Sequence, residues 1–167
     1  MPGAESLRRV VLAGVRVFDG RRVGEPVTVV IDGDRIGEDP AGGEVLDAGG
    51  AVLLPGLIDA HVHLDGLDTL DLLAAHGVTT ALDMAAAPEA VAELRGLSGT
   101  TDIRSAGMPI IGPGGGHARV LGERAILTDP SHAAAAVAER VAEGADYLKL
   151  VLEPMWRQVL VVTYGLR

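Results

Sequence analysis

The sequence predicts an α/β fold, in which a β-rich N-terminal segment, arranged like a small β-sandwich, precedes a parallel sheet built from βαβ units. Short apolar, β-branched runs separated by Gly and Asp turns fill the first third of the chain. Apolar strand candidates then alternate with helix candidates that end at glycine, which is typical of βαβ units. With 167 residues, of which 48% are apolar and 22% charged, the chain is large enough for a packed core.

The N-terminal segment, residues 1–56, contains five strand candidates. They are short and rich in β-branched residues, and they span residues 8–13, 15–18, 27–31, 44–47 and 51–54. An Asp-Gly-Asp turn at residues 32–34 follows the third candidate, and a Gly-Gly pair at residues 49–50 separates the last two. Short strands with such turns predict a small β-sandwich.

Residues 57–153 show the alternating pattern. Strand candidates occupy residues 57–64, 78–84, 102–106 and 146–152, and helix candidates occupy residues 67–76, 88–95 and 130–143. A glycine-rich loop spans residues 107–122. Because strands joined through helices pair in parallel, this region is predicted to form about four βα units.

Composition excludes several function classes. The net charge of −9 and an aromatic content of 2% argue against nucleic-acid binding, which needs basic patches and stacking side chains. No apolar run approaches the roughly 18 residues that cross a bilayer, and the first residues lack the apolar core of a signal peptide. The chain contains no cysteine, so disulfides and thiolate metal sites are absent. We therefore expect a cytoplasmic protein that binds neither nucleic acid nor membrane.

Two histidines point to a metal. His61 and His63 lie two residues apart at the end of the strand candidate 57–64, where alternation would place them on one face together with Asp59. Neutral imidazoles in this arrangement suit Zn, Fe, Ni or Co. The spacing by itself leaves open that they are merely exposed histidines at a strand end.

The residues around this pair resemble a known signature. Residues 52–64 read VLLPGLIDAHVHL, which is similar to the signature of the amidohydrolase superfamily of metal-dependent hydrolases, in its imidazolonepropionase and prolidase-like branch. Residues 103–107 (IRSAG), 114–117 (GGGH) and 144–150 (GADYLKL) extend the resemblance, which covers about residues 10–153. It implies that residues 57–153 are the first half of a (β/α)8 TIM-type barrel.

The resemblance also implies site residues. His61 and His63 would be metal ligands, and Lys149, at the end of the fourth barrel strand, would be carboxylated and bridge two ions. Only lysine suits that role, because a shielded amine can lose a proton whereas a guanidinium cannot. Lys149 is the single lysine among 14 basic residues. His117 would line the substrate site, and Asp59 would orient a ligand imidazole or fix the strand end.

The alternatives without a function are that Lys149 is a surface lysine just past a strand and that His117 is a loop histidine in solvent. The expected cofactor is a divalent metal, one or two ions, with zinc favoured and Fe, Mn, Ni or Co also suited.

The implied activity is hydrolysis of an amide or cyclic-amide C–N bond in a small-molecule or dipeptide-type substrate, through a metal-activated water. The acid-base aspartate of the family comes from the eighth barrel strand and is expected beyond the end of this chain, so no catalytic residue is predicted. Residues 154–167 contain neither alanine nor acidic residues, which indicates either a natural tail or a shifted reading frame in a truncated product. The alternative is a non-catalytic remnant, or a metal-binding fragment that pairs with another chain, and a homo-oligomer is compatible with both.

Overall fold

The computed structural model describes residues 9–152 and the backbone of residues 160–165. The chain divides into two compact units, Met1–Pro55 and Gly56–Arg167. The domain boundaries suggested by the sequence, after residues 56 and 153, stay predictions, since a compact unit is not by itself a domain that folds alone. Within the described residues, no helix is both long and apolar enough to cross a membrane.

The first unit is one five-stranded sheet. Its strands are β1 (Arg9–Phe18), β2 (Val23–Asp32), β3 (Arg35–Gly37), β4 (Glu44–Asp47) and β5 (Val52–Leu53). β2 pairs antiparallel with one edge of β1 and with β3, whereas β4 and β5 pair in parallel with β1. The predicted sandwich is therefore wrong for these residues, because all five strands belong to one sheet with β1 at its centre, and they do not form two facing sheets.

The strand candidates 8–13 and 15–18 are one strand. Gly14 (φ 70°) lies at a register irregularity between Leu12 and Val15, where its positive φ suits glycine. β3 was not predicted, since it has only three residues and no alternating pattern. It follows β2 through Gly33, which also has a positive φ (66°).

The second unit contains parallel strands and the helices between them. Its elements are β6 (Leu57–Val62), α1 (Leu67–Ala75), β7 (Val78–Asp83), α2 (Pro88–Leu94), β8 (Asp102–Ser105), β9 (Ile110–Ile111), α3 (Gly116–Leu121), α4 (Ala133–Ala142), β10 (Tyr147–Leu152) and β11 (Leu160–Gly165). One sheet has the order β6-β7-β8 with parallel pairing throughout, and a second has the order β11-β10-β9. The predicted α/β class and the parallel pairing are confirmed. The half barrel stays a prediction, since the described strands form two short sheets.

Two segments differ from the sequence-based prediction. The loop predicted at residues 107–122 contains β9, which pairs in parallel with β10, and the short helix α3. Part of the predicted tail forms β11, which pairs antiparallel with β10, unlike the all-parallel strands of a (β/α)8 barrel. Residues 154–159 and 166–167 of that tail lie outside the described residues.

Three small clusters of buried side chains form the core of this unit. They consist of Leu70, Val91 and Ile103, of Met84, Ala106 and Tyr147, and of Ile111, Ala125 and Val151. The first packs α1 and α2 against β8, and the second joins the ends of β7 and β8 to β10. Burial of these apolar surfaces fixes the strand ends that carry the candidate site.

Candidate metal centre

β6 places the two predicted histidine ligands side by side. The ring centroids of His61 and His63 lie 5.6 Å apart, with an angle of 61° between the ring planes. β6 pairs with β7 at Asp59–Ala81 and again at Val62–Asp83, so β6 contains one residue more than β7 across this interval. The irregularity lies between Asp59 and Val62, so the regular ladder on which the predicted common face depends is interrupted at this point.

Asp59 contacts the backbone of the histidine segment. Its Oδ1 accepts a 3.0 Å hydrogen bond from the backbone N–H of His61. Of the two roles that the sequence left open for Asp59, this contact favours fixing the strand end.

Lys149 is buried in the middle of β10, with 4% of its surface exposed. Burial lowers the pKa of its amine, and the negative charge of Asp83 opposes that shift only in part. Among the described residues, no carboxylate forms an ion pair with Lys149. A buried amine with a lowered pKa spends more time without its proton, which is the form that can react with CO2.

A cavity of about 540 Å³ brings three of the predicted residues together. Its lining residues come from four parts of the second unit and are His63, Ala85, Pro109, Gly116, His117, Val120, Leu121 and Lys149. His117 enters from the first turn of α3, whereas His63 follows the end of β6. His61 and Asp59 do not line this cavity. The remaining wall is apolar and contains no Asp or Glu among the described residues.

The surroundings of His63 lower the pKa of its imidazole. Its pKa is lowered mainly by burial and next by the positive charge of Lys149, while Asp83 acts in the opposite direction. A lowered pKa keeps the imidazole neutral near pH 7, and the neutral ring is the form that binds metal.

The donor set fits a divalent ion only if Lys149 takes part. In the part of the chain that the structure describes, no three His, Asp or Glu side chains come close enough to ligate one ion. The two imidazoles provide borderline-soft nitrogen ligands, and a carboxylated Lys149 would add an anionic oxygen. The residues present therefore suit an ion such as zinc as a partial ligand set.

Asp83 is a residue that the sequence analysis missed. It ends β7 and is fully buried, yet it carries a carboxylate whose charge acts on both His63 and Lys149. The available signal was an acidic residue near the end of a strand candidate that contains no other charged side chain, a position where an uncompensated charge would be costly.

Comparison with known proteins supports the resemblance seen in the sequence. No family model matches the chain. An adenine deaminase from Methanoregula boonei is 39% identical over 71 residues, which cover 38% of this chain and 12% of that protein.

Solved structures match over more of the chain. An amidohydrolase has a TM-score of 0.68 at 20% identity and covers 95% of this chain and 51% of its own. A molinate hydrolase has a TM-score of 0.65 at 20% identity, covering 93% of this chain and 49% of its own. A Xaa-Pro dipeptidase with bound methionine has a TM-score of 0.63 at 21% identity, covering 85% and 46%.

These likenesses establish a shared fold. The chain resembles amidohydrolases over the N-terminal portion of larger proteins, as its sequence indicated. It spans about half the length of the solved structures that it matches.

Proposed function

We propose that this chain is the N-terminal part of a metal-dependent hydrolase of the amidohydrolase superfamily, acting on amide or cyclic-amide C–N bonds. The observation that carries the proposal is the common cavity of His63, His117 and Lys149, which come from three distant segments of the chain. The cavity lies between His63, which follows the end of β6, and Lys149, which lies within β10, and each of these strands pairs in parallel with one neighbour. Active sites of (β/α)8 barrels form at this end of the strands.

Each residue has a role in the proposal. His61 and His63 would hold a divalent ion, with zinc favoured, through their ring nitrogens. Lys149, once carboxylated by CO2, would supply an oxygen ligand for one or two ions. His117 hydrogen-bonds the substrate carbonyl, and Asp59 fixes the strand end beneath the histidines. When bound, the ion lowers the pKa of a water molecule and polarises a carbonyl.

The apolar part of the cavity supports a hydrolytic site. Pro109, Val120 and Leu121 provide surface that excludes bulk water around the polar groups. Charges act more strongly where water is excluded, so Lys149 and the histidines would influence a bound carbonyl more than in solvent. The acid-base carboxylate is not among the described residues that line the cavity, so turnover would require a group from another part of the protein.

A second candidate function is a non-catalytic fragment that binds metal or pairs with another chain. The observation in its favour is β11, which pairs antiparallel with β10 at the edge where the next parallel barrel strand would lie. Because β11 already pairs with this edge of β10, a fifth βα unit is not required to cover it. Sedimentation of the purified chain tests this candidate, which expects a metal-independent oligomer.

The experiment for the first function is calorimetric titration of Zn²⁺ into the purified chain in bicarbonate buffer. We expect saturable binding in the wild type and at least a tenfold loss of affinity in both His63→Ala and Lys149→Ala. His76→Ala is the matched control, because His76 does not line the cavity and its ring lies at the end of α1, with Nδ1 2.8 Å from the oxygen of Leu72.

Carboxylation is read separately. With ¹³C-bicarbonate and zinc, we expect a carbamate resonance in the wild type that is missing in Lys149→Arg. No zinc binding by the folded wild type, or equal affinity in His63→Ala, Lys149→Ala and His76→Ala, would overturn the proposal.

A further inference from the structure

Asp83 connects all the strands that carry the candidate site. Its Oδ1 accepts a 3.2 Å hydrogen bond from the backbone N–H of Leu64, the residue that follows His63. Its Oδ2 accepts hydrogen bonds from the backbone N–H of Ala86 at 2.8 Å and from the hydroxyl of Ser105 at 2.6 Å. The carboxylate thereby links the end of β6, the segment after β7 and the end of β8.

The main chain of Asp83 reaches the strand of the lysine. Its backbone oxygen accepts a 2.5 Å hydrogen bond from the hydroxyl of Tyr147 and a 3.0 Å hydrogen bond from the backbone N–H of Ala106. Tyr147 lies two residues before Lys149 on β10, so both side chains leave the strand on the same face. One residue therefore contacts the segment that holds His63 and the strand that holds Lys149.

Burying the Asp83 carboxylate costs free energy, which suggests that the positions of the segments it binds are important. Asp83 is fully buried, and a buried carboxylate is tolerated only when it is well hydrogen-bonded. An apolar residue of similar size would avoid that cost, but it would leave the N–H groups of Leu64 and Ala86 without their acceptor. Hydrogen bonds to a charged acceptor are stronger than neutral ones, and they depend on direction as apolar contacts do not, so they set the positions of these segments more tightly than apolar packing would.

We propose that Asp83 is a positioning residue that holds His63 and Lys149 at a fixed separation across the cavity. The inference deepens the proposed function and rests on it in taking these two residues as metal ligands. Ala85 also lines the cavity, and it lies between Asp83 and Ala86, the two ends of one of these hydrogen bonds. Asp83 itself does not line the cavity, so it acts through the residues that it holds.

The test compares Asp83→Asn with a matched control, Thr101→Val. The asparagine keeps the size of the side chain but turns one oxygen into an NH₂ group, which cannot accept from a backbone N–H. Thr101 is also buried, and its hydroxyl donates to the backbone oxygen of Leu70 in α1 and to that of Val78, at the opposite end of β7 from Asp83. Its replacement by valine removes buried hydrogen bonds without touching the site.

Two measurements are made on each folded variant, and the first needs no metal. In ¹H–¹³C spectra of the histidine rings, we expect Asp83→Asn to shift the resonances of His63, while Thr101→Val leaves them in place. In zinc titrations, we expect a 10- to 100-fold loss of affinity in Asp83→Asn and less than a threefold change in Thr101→Val. Unfolding in urea measures how much stability each variant loses.

The outcomes separate the two claims. If the wild type binds no zinc but Asp83→Asn still displaces the His63 resonances, the proposed function fails and the positioning role stands. If Asp83→Asn matches Thr101→Val in the His63 spectrum and in zinc affinity, the positioning role is overturned. Should Asp83→Asn not fold, Ser105→Ala removes a single hydrogen bond to the same carboxylate. A smaller shift of His63 is then expected, and an unchanged spectrum would overturn the proposal.

Discussion

The Tyr147 hydroxyl donates a 2.5 Å hydrogen bond to the backbone oxygen of Asp83, and this bond ties β10 to the end of β7. The two strands belong to different sheets, so the contact connects sheets that no strand ladder joins among the described residues. The backbone N–H of Asp146 makes a second connection, donating to the oxygen of Ser105 at 2.8 Å. These bonds hold the strand of Lys149 against the ends of β7 and β8, next to the cavity that His63 also lines.

Tyr147→Phe should lower the free energy of unfolding by about 1 kcal/mol, the usual net value of one buried hydrogen bond. The loss stays modest because the oxygen of Asp83 keeps its bond from the N–H of Ala106. Denaturation in urea measures it. A variant as stable as the wild type would mean that this hydrogen bond makes no net contribution, because the hydroxyl bonds equally well to water in the unfolded chain.

Gly56→Ala should destabilise the second unit by roughly 1–3 kcal/mol through overpacking. A Cβ at position 56 would lie 2.1 Å from Oγ1 and 2.7 Å from Cβ of Thr79 on the neighbouring strand, and rotation of the threonine cannot move its Cβ away. This contact gives a physical reason for the glycine in the Pro-Gly pair before β6. In a double-mutant cycle measured by urea unfolding, Thr79→Gly should recover part of the loss. Purely additive effects would contradict the clash.

Two arginines that share a partner should differ in their contribution to stability. Arg140 is 1% exposed and donates to Glu143 at 2.5 Å, whereas the side chain of Arg124, which also pairs with Glu143, is 62% exposed. Arg140→Met should cost about 1.5–3 kcal/mol, because it removes a buried charged hydrogen bond. Arg124→Met should cost at most about 1 kcal/mol, as an exposed ion pair does. Equal losses in thermal or urea unfolding would show that burial does not set the difference.

Acid should destabilise the protein partly through Glu143. Burial raises the pKa of this carboxyl, but the hydrogen bonds and charges of Arg140 and Arg124 outweigh that effect and the pKa is lowered from 4.5. A carboxyl with a lowered pKa in the folded state stabilises the fold above its unfolded-state pKa, and this contribution disappears as the pH falls through the folded-state pKa. Glu143→Gln should therefore be less stable at pH 7 and lose less stability below pH 4.5. Parallel pH profiles of the two proteins would contradict this expectation.

The charge of Lys149 should be visible in the titration of His63. Burial lowers the pKa of His63 from 6.5, and the positive charge of Lys149 lowers it further. In the metal-free chain without bicarbonate, Lys149→Met should raise the pKa of His63 part of the way back, since burial remains. Arg119→Met removes a positive charge from α3 that is not among those acting on His63 and serves as the control. Equal His63 midpoints in both variants, measured by NMR, would show that His63 and Lys149 are not close.

The local features of the fold followed from the sequence because short-range interactions set them. Helices α1, α2 and α4 end near glycines, and the apolar runs from residue 57 onward become parallel strands. His61 and His63 adjoin because neighbouring positions at a strand end cannot separate far. Each of these features is determined by residues that lie within a few positions of it in the sequence.

Other features depend on partners that are distant in the sequence. The five N-terminal strands could pair as two facing sheets or as one. They form one sheet because the long strand β1 pairs with β2 along one edge and with β4 and β5 along the other. The two-residue strand β9 exists through its pairing with β10, and the direction of β11 depends on the same strand. Pairing energy across a ladder leaves no periodic signal in so short a segment, so the sequence could not predict them.

The chemistry predicted for the candidate site follows from residue types that are read directly from the sequence, namely His61, His63, His117 and Lys149. Tertiary structure alone decided which of them meet: His63, His117 and Lys149 share a cavity, whereas His61 lies outside its lining. The tertiary structure also gives Asp83 its proposed positioning role, because its buried carboxylate accepts hydrogen bonds from Leu64, Ala86 and Ser105, which are not adjacent to it in the sequence. A side chain's identity is local, but its burial and its partners are set by segments that approach only when the chain folds.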